Sequence, residues 1–131
     1  MPIGTYILRK YESKQSDLPA SQLLVAGDLT VDTTRGGLYS TYILTKGSAA
    51  AITLGAPIAG KPEIGGQDGI QIKFVAGSAQ AHVVSVAAGF NGGGAGTVTA
   101  TFAGALGDSF VAEAYNGNWY VIFNNNVTLG A

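Results

Sequence analysis

Ala114-Tyr115-Asn116-Gly117-Asn118-Trp119-Tyr120-Val121 sets an Asn-Gly pair between two alternating runs and contains the chain's single tryptophan. Asn and Gly both tolerate the positive φ of a two-residue type I′ turn, so this stretch predicts a tight hairpin. With Asn116 and Gly117 as the loop, Tyr115 pairs with Asn118, and side chains alternate between two faces from there. The register sets Ala114 opposite Trp119, Ala112 opposite Val121 and Phe110 opposite Phe123 on one wholly apolar face. Two alanines leave room for an indole, so Trp119 reads as core rather than as a platform for a ligand. The reverse face pairs Tyr115 with Asn118, Glu113 with Tyr120 and Val111 with Ile122, a mixture suited to partial exposure or a subunit contact.

The same alternation recurs upstream. Ile70, Ile72 and Phe74 alternate with Gln71, Lys73 and Val75; His82, Val84 and Val86 alternate with Ala81, Val83 and Ser85; Val98, Ala100 and Phe102 alternate with three threonines. Earlier runs from Leu38 to Thr45 and Ala49 to Leu54 are joined through Lys46-Gly47-Ser48. Residues 55–68 hold Pro57, Pro62 and four glycines and read as a long loop. The expected fold is all-β: a small β-sandwich or barrel, jelly-roll-like, of short antiparallel strands over residues 38–131. Residues 1–37 read as an N-terminal arm or edge segment, with Tyr6 to Tyr11 able to extend and Leu23 to Thr34 offering two short strands.

Charge narrows the function classes. Seven Lys and Arg stand against eight Asp and Glu in 131 residues, and 11% of residues are charged where about 25% is typical. Eight of those fifteen charges fall before residue 36, and beyond Phe74 only Asp108 and Glu113 remain. Such a chain offers no nucleic-acid patch, and its neutral half implies a surface either dressed in Thr, Ser, Asn and Gly or covered by partners, the second being the expectation. Without cysteine there are no disulfides or thiolate sites. The opening residues lack a signal-peptide pattern and no run of about 18 apolar residues occurs, so neither export nor a membrane partner is expected.

Motifs that could carry chemistry lack their context. Asn91-Gly92-Gly93-Gly94-Ala95-Gly96 resembles a phosphate loop in composition, but no Gly-Lys-Ser/Thr follows and a strand comes next, so a flexible connection is expected. His82 is the sole histidine and reads as half-buried and hydrogen-bonded, since a metal site needs further ligands. Gly107-Asp108-Ser109-Phe110-Val111 begins like a nucleophile elbow but leads into a strand. Asp108 with Glu113 could form a glycosidase-like pair only if the fold made them converge. Asn126-Val127-Thr128 matches a glycosylation sequon, which carries no weight without a secretory signal. The expectation is a protein with no catalytic, cofactor-binding or metal-binding residues and no small-molecule substrate.

Four segments together resemble a β domain of tailed-bacteriophage virion proteins, above all small capsid decoration, or cement, proteins. They are Leu44-Thr45-Lys46-Gly47-Ser48-Ala49-Ala50-Ala51-Ile52-Thr53-Leu54, Gly66-Gln67-Asp68-Gly69, Ala81-His82-Val83-Val84, and Gly107-Asp108-Ser109 running on through Ala114 to Val121. Similar segments occur in tail-fibre and appendage proteins. The resemblance covers about residues 44–123 and implies a module, commonly trimeric, that sits on assembled major capsid protein at the virion surface after synthesis in the host cytoplasm. It implies no catalytic residue. On this reading Val111, Tyr115, Tyr120 and Ile122 make oligomer contacts, and Tyr6, Arg9, Lys10, Tyr11 and Lys14 contact the capsid. Two rival expectations are a glycan-binding tail-fibre module using Tyr115, Asn118 and Tyr120, and a small hydrolase built on Asp108 and Glu113.

Overall fold

The computed structural model describes residues 21–33 and 38–131. Ten strands follow one another: β1 (Gln22–Val25), β2 (Leu29–Val31), β3 (Thr41–Leu44), β4 (Ala51–Leu54), β5 (Gln71–Ala76), β6 (Val83–Ser85), β7 (Thr99–Phe102), β8 (Ser109–Tyr115), β9 (Asn118–Asn125) and β10 (Val127–Gly130). They form two five-stranded sheets, ordered β1-β3-β5-β8-β9 and β10-β7-β6-β4-β2. One apolar core lies between them, so the fold is a small β-sandwich. β1 and β2, from the segment expected to be an arm or edge, stand last in the strand order of the two sheets among the described residues, and their Val25 and Val31 belong to this core.

The connectivity departs from the expected antiparallel, jelly-roll-like order. Through the first six strands the chain alternates between sheets, so β1, β3 and β5 stack parallel in one while β2, β4 and β6 stack parallel in the other. Parallel neighbours cannot be joined by a hairpin, and here each crossover runs through the opposite sheet. The result is three coils of a flattened solenoid, closed by antiparallel β7 on β6 and β8 on β5. Alternation of apolar residues is the same in either direction, which is why the pattern alone did not reveal it.

Stacking in register aligns like side chains across strands. Tyr42, Phe74 and Phe110 occupy adjacent positions of the first sheet, where neighbouring strands lie about 4.8 Å apart. Their rings stack with centroids 5.1 and 5.2 Å apart. Phe90 and Phe102 meet Phe110 edge-on at 5.6 and 6.0 Å, an arrangement the ring quadrupole favours. On the opposing sheet, Ile52, Val84 and Ala100 form the facing row.

The hairpin of β8 and β9 turns at Asn116 and Gly117, both with positive φ. Tyr115 pairs with Asn118, Ala114 with Trp119 and Ala112 with Val121, as the sequence predicts. Trp119 is fully buried, and its Nε1–H donates to the Gly55 carbonyl at 2.8 Å. The long loop beneath it is pinned rather than loose. Asp68 Oδ1 accepts from the backbone N–H of Asn116 and of Gly60, while Gln67 accepts from Ile58 N–H and donates to the Thr33 carbonyl. Gly66 permits this folding, because a Cβ there would sit 2.0 Å from the Gly60 carbonyl oxygen.

Beyond Ala112 the expected pairing fails. A β-bulge between Val111 and Ala112 makes Val111 face Phe123 and Phe110 face Asn124, instead of Phe110 facing Phe123. β9 and β10 are separated by Asn126 alone yet belong to different sheets. A strand that turns such a corner needs the extra bend and twist a bulge supplies. A shift of one residue moves a side chain to the other face, so Phe123, expected in the core, is 55% exposed.

Candidate functional site

Among the described residues, the outer face of the first sheet carries a group of exposed apolar side chains, Leu24, Tyr115, Ile122 and Phe123, while Ile58, Ile64 and Leu106 are exposed on loops. Leu24, Ile43 and Val75 are register neighbours on β1, β3 and β5, and Val111 lies opposite Phe123 on β8 and β9. Ile122, the residue the bulge inserts, is half exposed beside Phe123. Near the hairpin tip, Tyr115 and Tyr120 lie with ring centroids 6.2 Å apart, and Tyr115 is 60% exposed. The face also carries polar side chains: Gln71 Nε2 donates to Glu113 at 2.7 Å, and the exposed Lys73 lies beside Val111 in the register.

All four residues expected to make oligomer contacts, Val111, Tyr115, Tyr120 and Ile122, therefore lie on one hairpin and are at least partly exposed. Sequence reasoning missed Phe123, because nothing local announces a bulge, and missed Leu24, Ile43 and Val75, because their strands become neighbours only in the folded chain. Tyr6, Arg9, Lys10, Tyr11 and Lys14, the expected capsid contacts, lie outside the described residues.

Of the groups singled out for chemistry, Asp108, the glycine cluster and His82 are engaged in holding the backbone, and Glu113 pairs with the Gln71 side chain. Asp108 is buried, and its Oδ2 accepts from the N–H groups of Gly104 and Ala105 at 2.9 and 2.8 Å. The Ala105 bond above all, helped by Asn126 and Gly104 against the cost of burial, holds its carboxyl below the usual aspartate value. Glu113 lies five residues along an extended strand, about 16 Å away at the usual rise, so the fold does not bring the two carboxylates together.

The glycine cluster connects β6 to β7 as a compact turn. Asn91 and Gly92 take positive φ, Gly94–Thr97 form a 3₁₀ turn, and the Thr97 hydroxyl donates to the Phe90 carbonyl at 2.8 Å. Asn91 docks on the free edge of β9, its N–H donating to the Trp119 carbonyl and its Oδ1 accepting from Val121 N–H.

His82 is fully buried rather than half-buried. Its Nδ1 accepts from Ala50 N–H at 2.9 Å, which places the proton on Nε2, facing the Ser78 carbonyl and hydroxyl at 3.3 and 3.1 Å. It thereby ties the β3–β4 link to the β5–β6 link. Burial, opposed by the Ser78 bond, pushes its pKa below the ordinary imidazole value. Between that depressed value and about 6.5 the unfolded chain binds a proton that the folded chain does not. Stability is therefore complete above about pH 6.5 and declines as pH falls through that window. The melting temperature should drop between pH 7 and pH 5 at constant salt, and His82→Gln should flatten this slope. An equal slope in the variant would remove His82 as its source.

Among the described residues no three of His, Asp or Glu group as a metal site, and no helix is long and apolar enough to cross a membrane. The chain matches no protein-family model, and neither a curated protein nor a solved structure matches it.

Proposed function

We propose that the protein is a phage virion structural protein that assembles into a homotrimer through the outer face of its first sheet and binds the outer surface of the assembled capsid, stabilising it. The observation that carries this reading is the apolar outer face centred on Phe123, Ile122 and Val111. A bulge turns a phenylalanine outward there, and a contiguous exposed apolar patch on a soluble domain marks an interaction surface. Obligate oligomer interfaces are the more apolar class, and the scarcity of charge through the C-terminal half suits a surface that is covered. The basic residues Arg9, Lys10 and Lys14 supply the polar contacts to the capsid protein.

Mass measurement in solution and co-sedimentation with bare shells test the two parts separately. An Ile122→Lys/Phe123→Lys variant should fall from trimer to monomer and bind shells at least roughly 10²-fold more weakly, because multivalent attachment is lost. Charge reversal of Arg9, Lys10 and Lys14 should leave the trimer intact and abolish sedimentation with shells. A wild-type monomer indifferent to shells would overturn the proposal. The exposed Tyr115, with the partly exposed Tyr120 and Asn118 beside it, favours a second reading, a tail-fibre module that stacks a host-surface sugar on tyrosine. Glycan-array binding that disappears in Tyr115→Ala, with no affinity for shells, would favour it over decoration.

A further inference from the structure

We propose that Asn116 is a site of covalent self-modification, at which the amide nitrogen of Gly117 attacks the side-chain carbon and turns the asparagine into aspartate and isoaspartate. The chain contains two Asn-Gly pairs, Asn91-Gly92 and Asn116-Gly117. In both, the asparagine is exposed with positive φ, and the glycine presents its nitrogen with no side chain to shield it. Hydrogen bonding separates them. Asn91 is held at two points, its Oδ1 accepting from Val121 N–H at 2.8 Å and its backbone N–H donating to the Trp119 carbonyl at 2.9 Å. Among the described residues, none hydrogen-bonds the side-chain amide of Asn116 or the N–H of Gly117, so Cγ can turn toward that nitrogen.

The reaction balances with water as its co-reactant. The Gly117 nitrogen gives its proton to hydroxide and bonds to Asn116 Cγ; the Cγ–Nδ2 bond breaks, and ammonia departs to leave a cyclic imide. Water then opens the ring at either carbonyl. Breaking the new bond between Cγ and the Gly117 nitrogen leaves aspartate in a normal chain. Breaking the original peptide bond instead leaves isoaspartate, whose chain runs through Cβ and Cγ and whose carboxylate sits on Cα. Nothing is oxidised or reduced.

The same residue ties the hairpin to the long loop, so its conversion has a structural effect. Asn116 N–H donates to Asp68 Oδ1 at 2.8 Å, and that oxygen also accepts from Gly60 N–H. In the isoaspartyl product the new carboxylate is attached to the carbon bearing this N–H, which sets a second negative charge beside Asp68 and repels it. The extra backbone atom also breaks the geometry of a two-residue type I′ turn, on which the pairing of Tyr115 with Asn118 depends. Both effects release the hairpin tip from the loop. Phe123 lies five residues along β9 from Asn118, about 16 Å at the usual rise. The reactive turn is thus apart from the centre of the apolar patch, and the inference stands whether or not the protein decorates a capsid.

Incubating the full chain at mildly alkaline pH, followed by proteolytic mass mapping and enzymatic isoaspartate labelling, tests the assignment. Asn116 should show the mass change of an amide exchanged for an acid and take the label at least about tenfold faster than Asn91, whose reaction must first break its hydrogen bonds. In urea, where neither site is held, the two should react at comparable rates. Equal rates in the folded chain would overturn the inference, as would an Asn116 that keeps its amide when folded while the chain in urea converts. Asn116→Asp adds the charge without the extra backbone atom, and its melting temperature should fall below the parent's at low salt and approach it at high salt, where the repulsion is screened. A melting temperature equal to the parent's at low salt would remove Asp68 as the opposing charge.

Discussion

Phe74→Ala should destabilise the fold by about 3–5 kcal/mol, the range for emptying a large aromatic site in a packed core. Phe74 is fully buried on the middle strand of the first sheet, stacked between Tyr42 and Phe110. Removing it breaks two ring contacts, each adding about 0.5–1.5 kcal/mol beyond area burial. The cavity would lie where the parallel coils meet the antiparallel half, so the core cannot close by moving one loop. Against a total stability of about 5–15 kcal/mol for a domain, the variant should show a large drop in urea midpoint, with Phe74→Leu falling between it and the parent. A midpoint within error of the parent would mean that the aromatic stack does not hold the sheets together.

Trp119→Ala should cost a similar amount, about 3–5 kcal/mol, by a different route. The indole lies across from Ala114 on the buried side of the hairpin, and its N–H satisfies the Gly55 carbonyl at the start of the long loop. Trp119→Phe keeps most of the bulk but leaves that carbonyl without its donor, a loss of about 1–3 kcal/mol. The two variants should therefore rank Ala below Phe below parent in thermal melts. A tryptophan serving as a ligand platform would give the opposite result, with ligand binding lost and stability little changed.

Much of the site was legible in advance because the signals are local. The Asn-Gly turn sets the phase of both strands beside it, and that phase places Val111, Tyr115 and Tyr120 away from the core without reference to the rest of the chain. The error at Phe123 has the same origin, since a phase carried outward from the turn stays correct only until a residue is inserted. The insertion answers a demand from elsewhere: the chain must leave one sheet and enter the other across a single residue. His82 shows the same division. Its place on an inward-facing row follows from alternation, but the bond from Ala50 N–H that selects its tautomer spans 32 residues. Likewise Gln67 and Asp68 stand out in sequence only as turn formers, and their hold on Thr33 and Asn116 exists only once the loop is folded.

Taken by itself, the amino-acid order determined that this is an all-β chain, where the last hairpin turns, and which side of nearly every strand faces the core. Those properties depend on φ preferences and on a period of two, which neighbouring residues establish between themselves. Tertiary structure alone decided that the first six strands run parallel in a coil, that Phe123 faces outward and that the glycine cluster seals an edge. Each of these depends on partners such as Leu23 with Tyr42, or Gln71 with Glu113, that lie far apart along the chain. Such pairings are settled by which apolar rows can share one core, and no short stretch carries that information.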